Sequence, residues 1–203
     1  ELTMRRTSPD IDVATAVALL QILNVEILGS RSATLTLEKW CRRQHLGEEP
    51  RIVAKRLKGR PKPLRPEQRE WLQVPPEEEV RHRKVQLLCG GHVLSEADNW
   101  YLPNRLTAEM NRLLDTTDTP FGKVVQPLNP RRRTLEVKLL WLPLSDGQVK
   151  DRSRRVEIPD SVFEHRVVLY SGAHKPLSLV RETYKRQLLA GASNIVARHR
   201  RCS

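Results

Sequence analysis

Aromatic side chains are scarce: 4% of the 203 residues are Phe, Tyr or Trp, and none is interleaved with the basic runs. Proteins that hold single-stranded nucleic acid stack its bases on aromatic platforms inside a cationic groove, and that pattern is missing. Long apolar runs are missing too. The longest, Val13 to Leu20 with Thr15 inside it, falls far short of the roughly 20 residues a membrane helix needs. Cysteine is sparse, and Cys41, Cys89 and Cys202 show neither CxxC nor mixed Cys/His spacing, so no metal site and no disulfide framework is expected. Cys41 and Cys89 read as core residues and Cys202 as a tail thiol. No complete secretory signal is visible. The default location is the cytoplasm, and a chain starting at Glu1 is compatible with removal of a targeting segment.

Acidic residues are in deficit: 36 Lys and Arg face 24 Asp and Glu, a net charge of +12 that favours anionic partners. The basic residues gather at Arg131 to Arg133, Arg152 to Arg155 and Arg198 to Arg201, with a scatter from Lys55 to Arg69. These read as loop and tail clusters, a solvated surface or a loose polyanion contact, so nucleic acid is not the favoured partner. A hydrophobic fraction of 38% and a charged fraction of 30% over this length fit one soluble domain with a full core.

What is present is organised around Arg81 to Pro103. Arg83, Val85, Leu87 and Cys89 alternate onto one face of an extended strand, and Lys84 and Gln86 onto the other. Gly90-Gly91 supplies the positive φ of a tight hairpin turn, and His92 to Tyr101 runs back as the partner strand. One guanidinium therefore sits among apolar neighbours. Buried unpaired it would be costly, so Arg83 should meet a carboxylate or an anionic ligand.

Ser8-Pro9-Asp10 opens a helix expected to run to Leu28, and a second helix over Ser32 to Leu46 turns Leu35, Leu37, Trp40 and Cys41 inward. A strand over Arg51 to Leu57, an irregular basic stretch, a short helix over Pro66 to Leu72 and the hairpin follow. Leu106 to Asp115 is helical, and Leu135, Val137, Leu139 and Trp141 alternate as a half-buried strand. Ser145 to Asp160 reads as an exposed excursion. HRVVLYSGAHKPL, beginning at His165, then echoes HRKVQLLCGGHVL, beginning at His82. In its return strand Val180, Glu182 and Tyr184 share one face, and Leu177, Leu179 and Arg181 the other. Hairpins and helices in this order give a single-domain α+β fold with an antiparallel sheet and helices mainly on one side. Residues 1–50 form its helical segment, 51–189 its core and 190–203 a basic tail.

RKVQLLCGG, the TPFG of Thr119 to Gly122 and the GAHKPLSLVRETY of Gly172 to Tyr184 occur in an order that resembles the chorismate lyase family. The resemblance covers about Arg51 to Leu189. It implies an α+β fold and a cofactor-free elimination of pyruvate from chorismate to give 4-hydroxybenzoate. By position, the family's carboxylate-binding arginine falls on Arg83 when counted from Gly91 and on Lys84 when counted from Cys89; strand phase favours Arg83. The family's Pro-Leu-Gly position falls on Phe121, with Gly122 after it. Its glutamate falls near Glu182, although a strict count from Pro176 lands on Arg181. The implied partner is a small anionic aromatic ligand held between Arg83 and Glu182, with no metal and no cofactor. His92, His165 and His174 are secondary candidates for proton transfer or pocket contacts. Phe121 in place of a smaller residue would shrink the pocket. The same fold also serves ligand-sensing domains of transcriptional regulators, which bind without turnover. The alternatives are therefore a lyase, a non-catalytic binder of a hydroxybenzoate-like acid, and a polyanion-binding basic protein.

Overall fold

A computed structural model describes residues 11–143, 151, 153, 155 and 157–192; most of the 145–160 excursion and the tail from residue 193 lie outside the described residues. The Ser8-Pro9-Asp10 signal lies outside the described residues; within them the first helix is α1 (Val13–Leu28), preceded by non-helical Ile11 and Asp12. Asp12 is extended there, and its carboxylate accepts a 2.7 Å hydrogen bond from the Thr15 amide, which makes Asp12 the cap. Ser32 caps α2 (Ala33–Arg43) in the same way, through the Leu35 amide. Leu37, Trp40 and Cys41 of α2 are buried, whereas Leu35, expected inside, is 37% exposed. Two residues from Leu37 is about 200° around a helix, so the two leucines cannot share a face.

The sheet has six antiparallel strands: β1 (Val53–Leu57), β2 (Arg81–Cys89), β3 (His92–Tyr101), β4 (Arg131–Leu139), β5 (Ser161–Tyr170) and β6 (Pro176–Lys185). Their order across the sheet is β1-β2-β3-β6-β5-β4. Two three-stranded halves thus meet at the β3–β6 pair, and the echoing sequences are the two hairpins on either side of that seam. In the first hairpin Gly90 (φ 52°) and Gly91 (φ 81°) take the left-handed turn conformations. In the second the left-handed residue is His174 (φ 61°), not Gly172, and the Ser171 amide closes the longer turn on the Lys175 carbonyl.

Helices α1 and α2 share one hydrophobic core with Phe163 of β5 and Tyr184 of β6, and α4 (Ala108–Thr116) and α5 (Phe121–Val124) extend the cover over Tyr101. On the other face α3 (Pro66–Leu72) packs over Trp100, Val168 and Leu179. The architecture is α+β, with most helices on one side of the sheet. Two sequence expectations are corrected. Arg131 to Arg133 are not a loop cluster but the first residues of β4. Cys41 and Cys89 are joined by a disulfide, with Cα atoms 6.5 Å apart, because the chain after α2 folds against the β2–β3 turn. There, a side chain on Gly47 would meet Gly90 Cα at 2.8 Å.

Candidate functional site

Val180, Glu182 and Tyr184 project from β6 onto the face covered by α2, as alternation requires. Glu182 meets a cation there, and that cation is Arg132. A bulge between Thr134 and Glu136 shifts the alternation of β4 by one residue. Arg132 before the bulge and Val137 and Leu139 after it consequently stand opposite Leu169, His165 and Phe163, all on this same face. The Arg132 Nη1 and Nη2 groups donate to the two Glu182 oxygens at 2.9 Å each, and the Tyr184 hydroxyl donates to Oε2 at 2.7 Å. Side-chain exposure is 4% for Arg132 and 10% for Glu182, so this fork is almost dry.

Burial alone would raise the Glu182 pKa; the Arg132 charge and the hydrogen bonds from Arg132 and Tyr184 outweigh it and hold the carboxyl below its ordinary range. Burial and the adjacent carboxylate push the Tyr184 hydroxyl well above its ordinary value. Glu182 is thus a fixed carboxylate and Tyr184 a fixed donor.

Arg83 is not the partner of Glu182. It is 5% exposed and faces the same way, but it stands opposite Asn99 on β3, two strands and about 10 Å across the sheet from β6. Its Nη1 reaches the Leu114 carbonyl at 3.4 Å, and its Nε has no hydrogen-bond partner. Burial, aided by the Arg56 charge, lowers its pKa. Lys84 points to the opposite face and pairs with Glu96 at 2.8 Å. Arg181 also lies on the opposite face, 46% exposed beside Asp98.

Between this face and the start of α2 lies a cavity of about 60 Å³. Its floor is Val85, Ala97, Leu169 and Val180, and the Arg132, Glu182 and Tyr184 cluster closes one end. Arg31 and the first turn of α2 contribute to its wall, as do Phe121 and Gly122 from the start of α5. Gly122 lies close against α2: a Cβ there would stand 2.7 Å from Thr34 Oγ1, so the Thr34 side chain would have to give way. The Phe121 ring leans on Tyr101 with centroids 5.6 Å apart. Two buried polar atoms of lining residues lack partners, Arg132 Nε and Asn99 Oδ1.

Arg83 and the three histidines do not line the cavity. His92 is half-buried at the start of β3, and His174 is exposed in the second hairpin turn. His165 is fully buried beside Glu182, and its Nε2 pairs with Asn24 Oδ1 at 2.7 Å. Burial and the Arg132 charge push its pKa down to about 4, against the opposing pull of Glu182. Sequence reasoning missed Arg132, Arg31 and Asn24. One signal for Arg132 was available, since an inward Glu182 requires a cation and RRRT directly precedes an alternating run. Among the described residues no three His, Cys, Asp or Glu side chains converge as metal ligands, and no helix is long and apolar enough to cross a membrane.

No family model matches the chain. The uncharacterized protein y4mC of Sinorhizobium fredii (strain NBRC 101917 / NGR234) is 43% identical over 183 residues, covering 86% of this chain and 76% of that protein. Among solved structures, PhnF from Mycobacterium smegmatis superposes with a TM-score of 0.51 at 13% identity, over 78% of this chain and 65% of that one. A transcriptional regulator (GntR family) from Enterococcus faecalis V583 gives 0.43 at 12% identity, over 65% of this chain and 92% of that one. The PhnF likeness is one of fold, and the fold is the chorismate-lyase-like α+β arrangement.

Proposed function

The chain belongs to the family of the Sinorhizobium fredii protein y4mC, and we propose that it is a non-catalytic binding domain for a small hydroxycarboxylic acid. The observation that carries this reading is the largely apolar cavity with a buried, unpartnered donor, Arg132 Nε, and a buried, unpartnered acceptor, Asn99 Oδ1, among its lining residues. A carboxylate satisfies the first together with Arg31, beside the N-terminus of α2. A ligand hydroxyl satisfies the second. The apolar floor then takes the carbon frame.

The lyase alternative needs a group beside the ligand that can give or take a proton. Glu182 was the sequence candidate, and both of its oxygens are occupied by Arg132, one of them by Tyr184 as well. Arg83, the other candidate, stands apart from it. Binding without turnover is the reading these contacts support. Size refines the ligand class. The confined apolar floor favours a compact acid such as glycolate or lactate, and Phe121, leaning on Tyr101, is the wall residue that borders the room a hydroxybenzoate ring would use.

A thermal-shift panel of glycolate, lactate and 4-hydroxybenzoate, repeated with Arg31→Gln and Phe121→Ala, tests this. The expected result is stabilisation by at least one acid, weakened by Arg31→Gln, with 4-hydroxybenzoate gaining most from Phe121→Ala. No shift across the panel defeats the reading. Release of pyruvate from chorismate by the unaltered protein would restore the lyase.

A further inference from the structure

The opposite face of the sheet carries a charged row that the inner site does not use. From β2 to β4, direct cross-strand neighbours read Lys84, Asp98, Arg181, Arg166 and Glu136. Opposite charges alternate at both ends of this row. At its centre two arginines stand directly across from each other, an arrangement that destabilises a strand pair unless something neutralises it.

The neighbouring carboxylates do so only in part. Asp98 already accepts from Lys62 Nζ at 2.6 Å and lies 2.9 Å from His82 Nε2, which leaves Arg181 a long contact of 3.5 Å. Arg181 also lies 3.9 Å from Glu164. Arg166 reaches Glu136 at 3.3 Å, and Glu136 is shared with Lys138 at the same distance. The Arg166 guanidinium lies over the Trp71 ring, 5.7 Å from its centroid. Both arginines line a cavity of about 360 Å³, together with Lys62, Arg65, Trp100 and Leu179. Asp98 is the one carboxylate among its described lining residues, against four cations. The cavity shares no lining residue with the inner one.

We propose that this outer cavity is a second binding site, for a small phosphate monoester whose phosphate bridges Arg166 and Arg181. A dianionic phosphate presents three terminal oxygens, enough for two guanidinium forks at once, and its charge cancels the repulsion at the centre of the row. A monocarboxylate offers one fork's worth of oxygens and half the charge. Lys62 and Arg65 complete the cationic wall from the segment before α3, and Trp100 and Leu179 give the organic part of the ester an apolar surface.

The full chain is titrated with inorganic phosphate, ribose 5-phosphate and ribose, with chloride matched for ionic strength, following tryptophan fluorescence and Tm. Saturable responses to phosphate and ribose 5-phosphate, the ester binding tighter, with none to ribose, are expected. Arg166→Gln and Arg181→Gln should each weaken binding about tenfold or more. Arg166→Gln removes the like-charge contact with Arg181 together with the Glu136 ion pair and the Trp71 stacking, so each variant's phosphate response is read against its own ligand-free Tm. Arg166→Lys, which keeps the charge and loses the fork, decides the matter if a glutamine variant fails to fold: weakened binding supports the bridging role. The proposal is overturned if chloride gives the same response, if the variants bind phosphate as the parent does, or if only a long polyanion such as an oligonucleotide binds.

Discussion

His165 shows how much a single buried residue can contribute. Fully enclosed, with Asn24 Oδ1 as the partner of its Nε2 and Arg132 nearby, it is held neutral, its pKa pushed down to about 4. The unfolded chain binds a proton at His165 below about pH 6.5, and the folded chain does not until about pH 4. Unfolding therefore takes up a proton in that window, and stability present above pH 6.5 is lost as pH falls toward 4. The expected loss from this residue is about 3 kcal/mol across the window. His165→Gln, which can still donate to Asn24, should flatten the Tm-against-pH curve between pH 6.5 and 4.5; an unchanged slope would refute the assignment. From the sequence, His165 was one of three histidines with no feature to distinguish them. Its burial follows from α1 lying across β5, a contact between residues 141 positions apart that no local pattern encodes. Glu182 was legible because alternation in β6 is unbroken. Arg132 was signalled only by Glu182's need for a cation and not by strand phase, because the bulge after Thr134 offsets it from the alternating residues that mark β4.

At the scale of elements, local signals placed strands and helices well where turn chemistry was explicit. Proline at the first helical position sets α3 at Pro66–Leu72, and Gly90-Gly91 sets the first hairpin. The second hairpin broke the analogy because His174, not glycine, takes the left-handed position. The two turn glycines are not equivalent either. A Cβ on Gly91 meets nothing within 4 Å, so Gly91→Ala costs only the strain of positive φ, about 1 kcal/mol. A Cβ on Gly90 would stand 2.5 Å from the Leu46 carbonyl oxygen and 2.6 Å from Gly47 Cα, both backbone atoms that cannot rotate away. Gly90→Ala should therefore cost several times as much in urea unfolding, or fail to fold. Equal costs would mean that the segment after α2 does not rest on the turn.

For the whole molecule, the same contact decides how the helical cover is fastened to the sheet. Helix α2 closes the inner cavity, so whatever fixes α2 also fixes the site. Trp40 anchors it through a 2.9 Å hydrogen bond to the Leu188 carbonyl, and the Cys41–Cys89 disulfide ties it to the end of β2. Composition argued for two core thiols, since cysteine spacing carries no information about partners brought together by a tertiary contact. The bridge closes a loop of 48 residues, and in the chain-entropy account a loop of that size stabilises by about 4 kcal/mol. Reduction, or the Cys41→Ser/Cys89→Ser pair, should lower Tm by roughly 10 °C. It should also weaken acid binding in the inner cavity more than phosphate binding on the outer face, because α2 lines only the former. Peptide mapping without reductant should recover the Cys41 and Cys89 peptides linked. Recovery of both as free thiols from protein kept under oxidising conditions would refute the tie. A bond that persists in cells would also bear on where the chain works, since disulfides endure in oxidising compartments and are reduced in most cytosols.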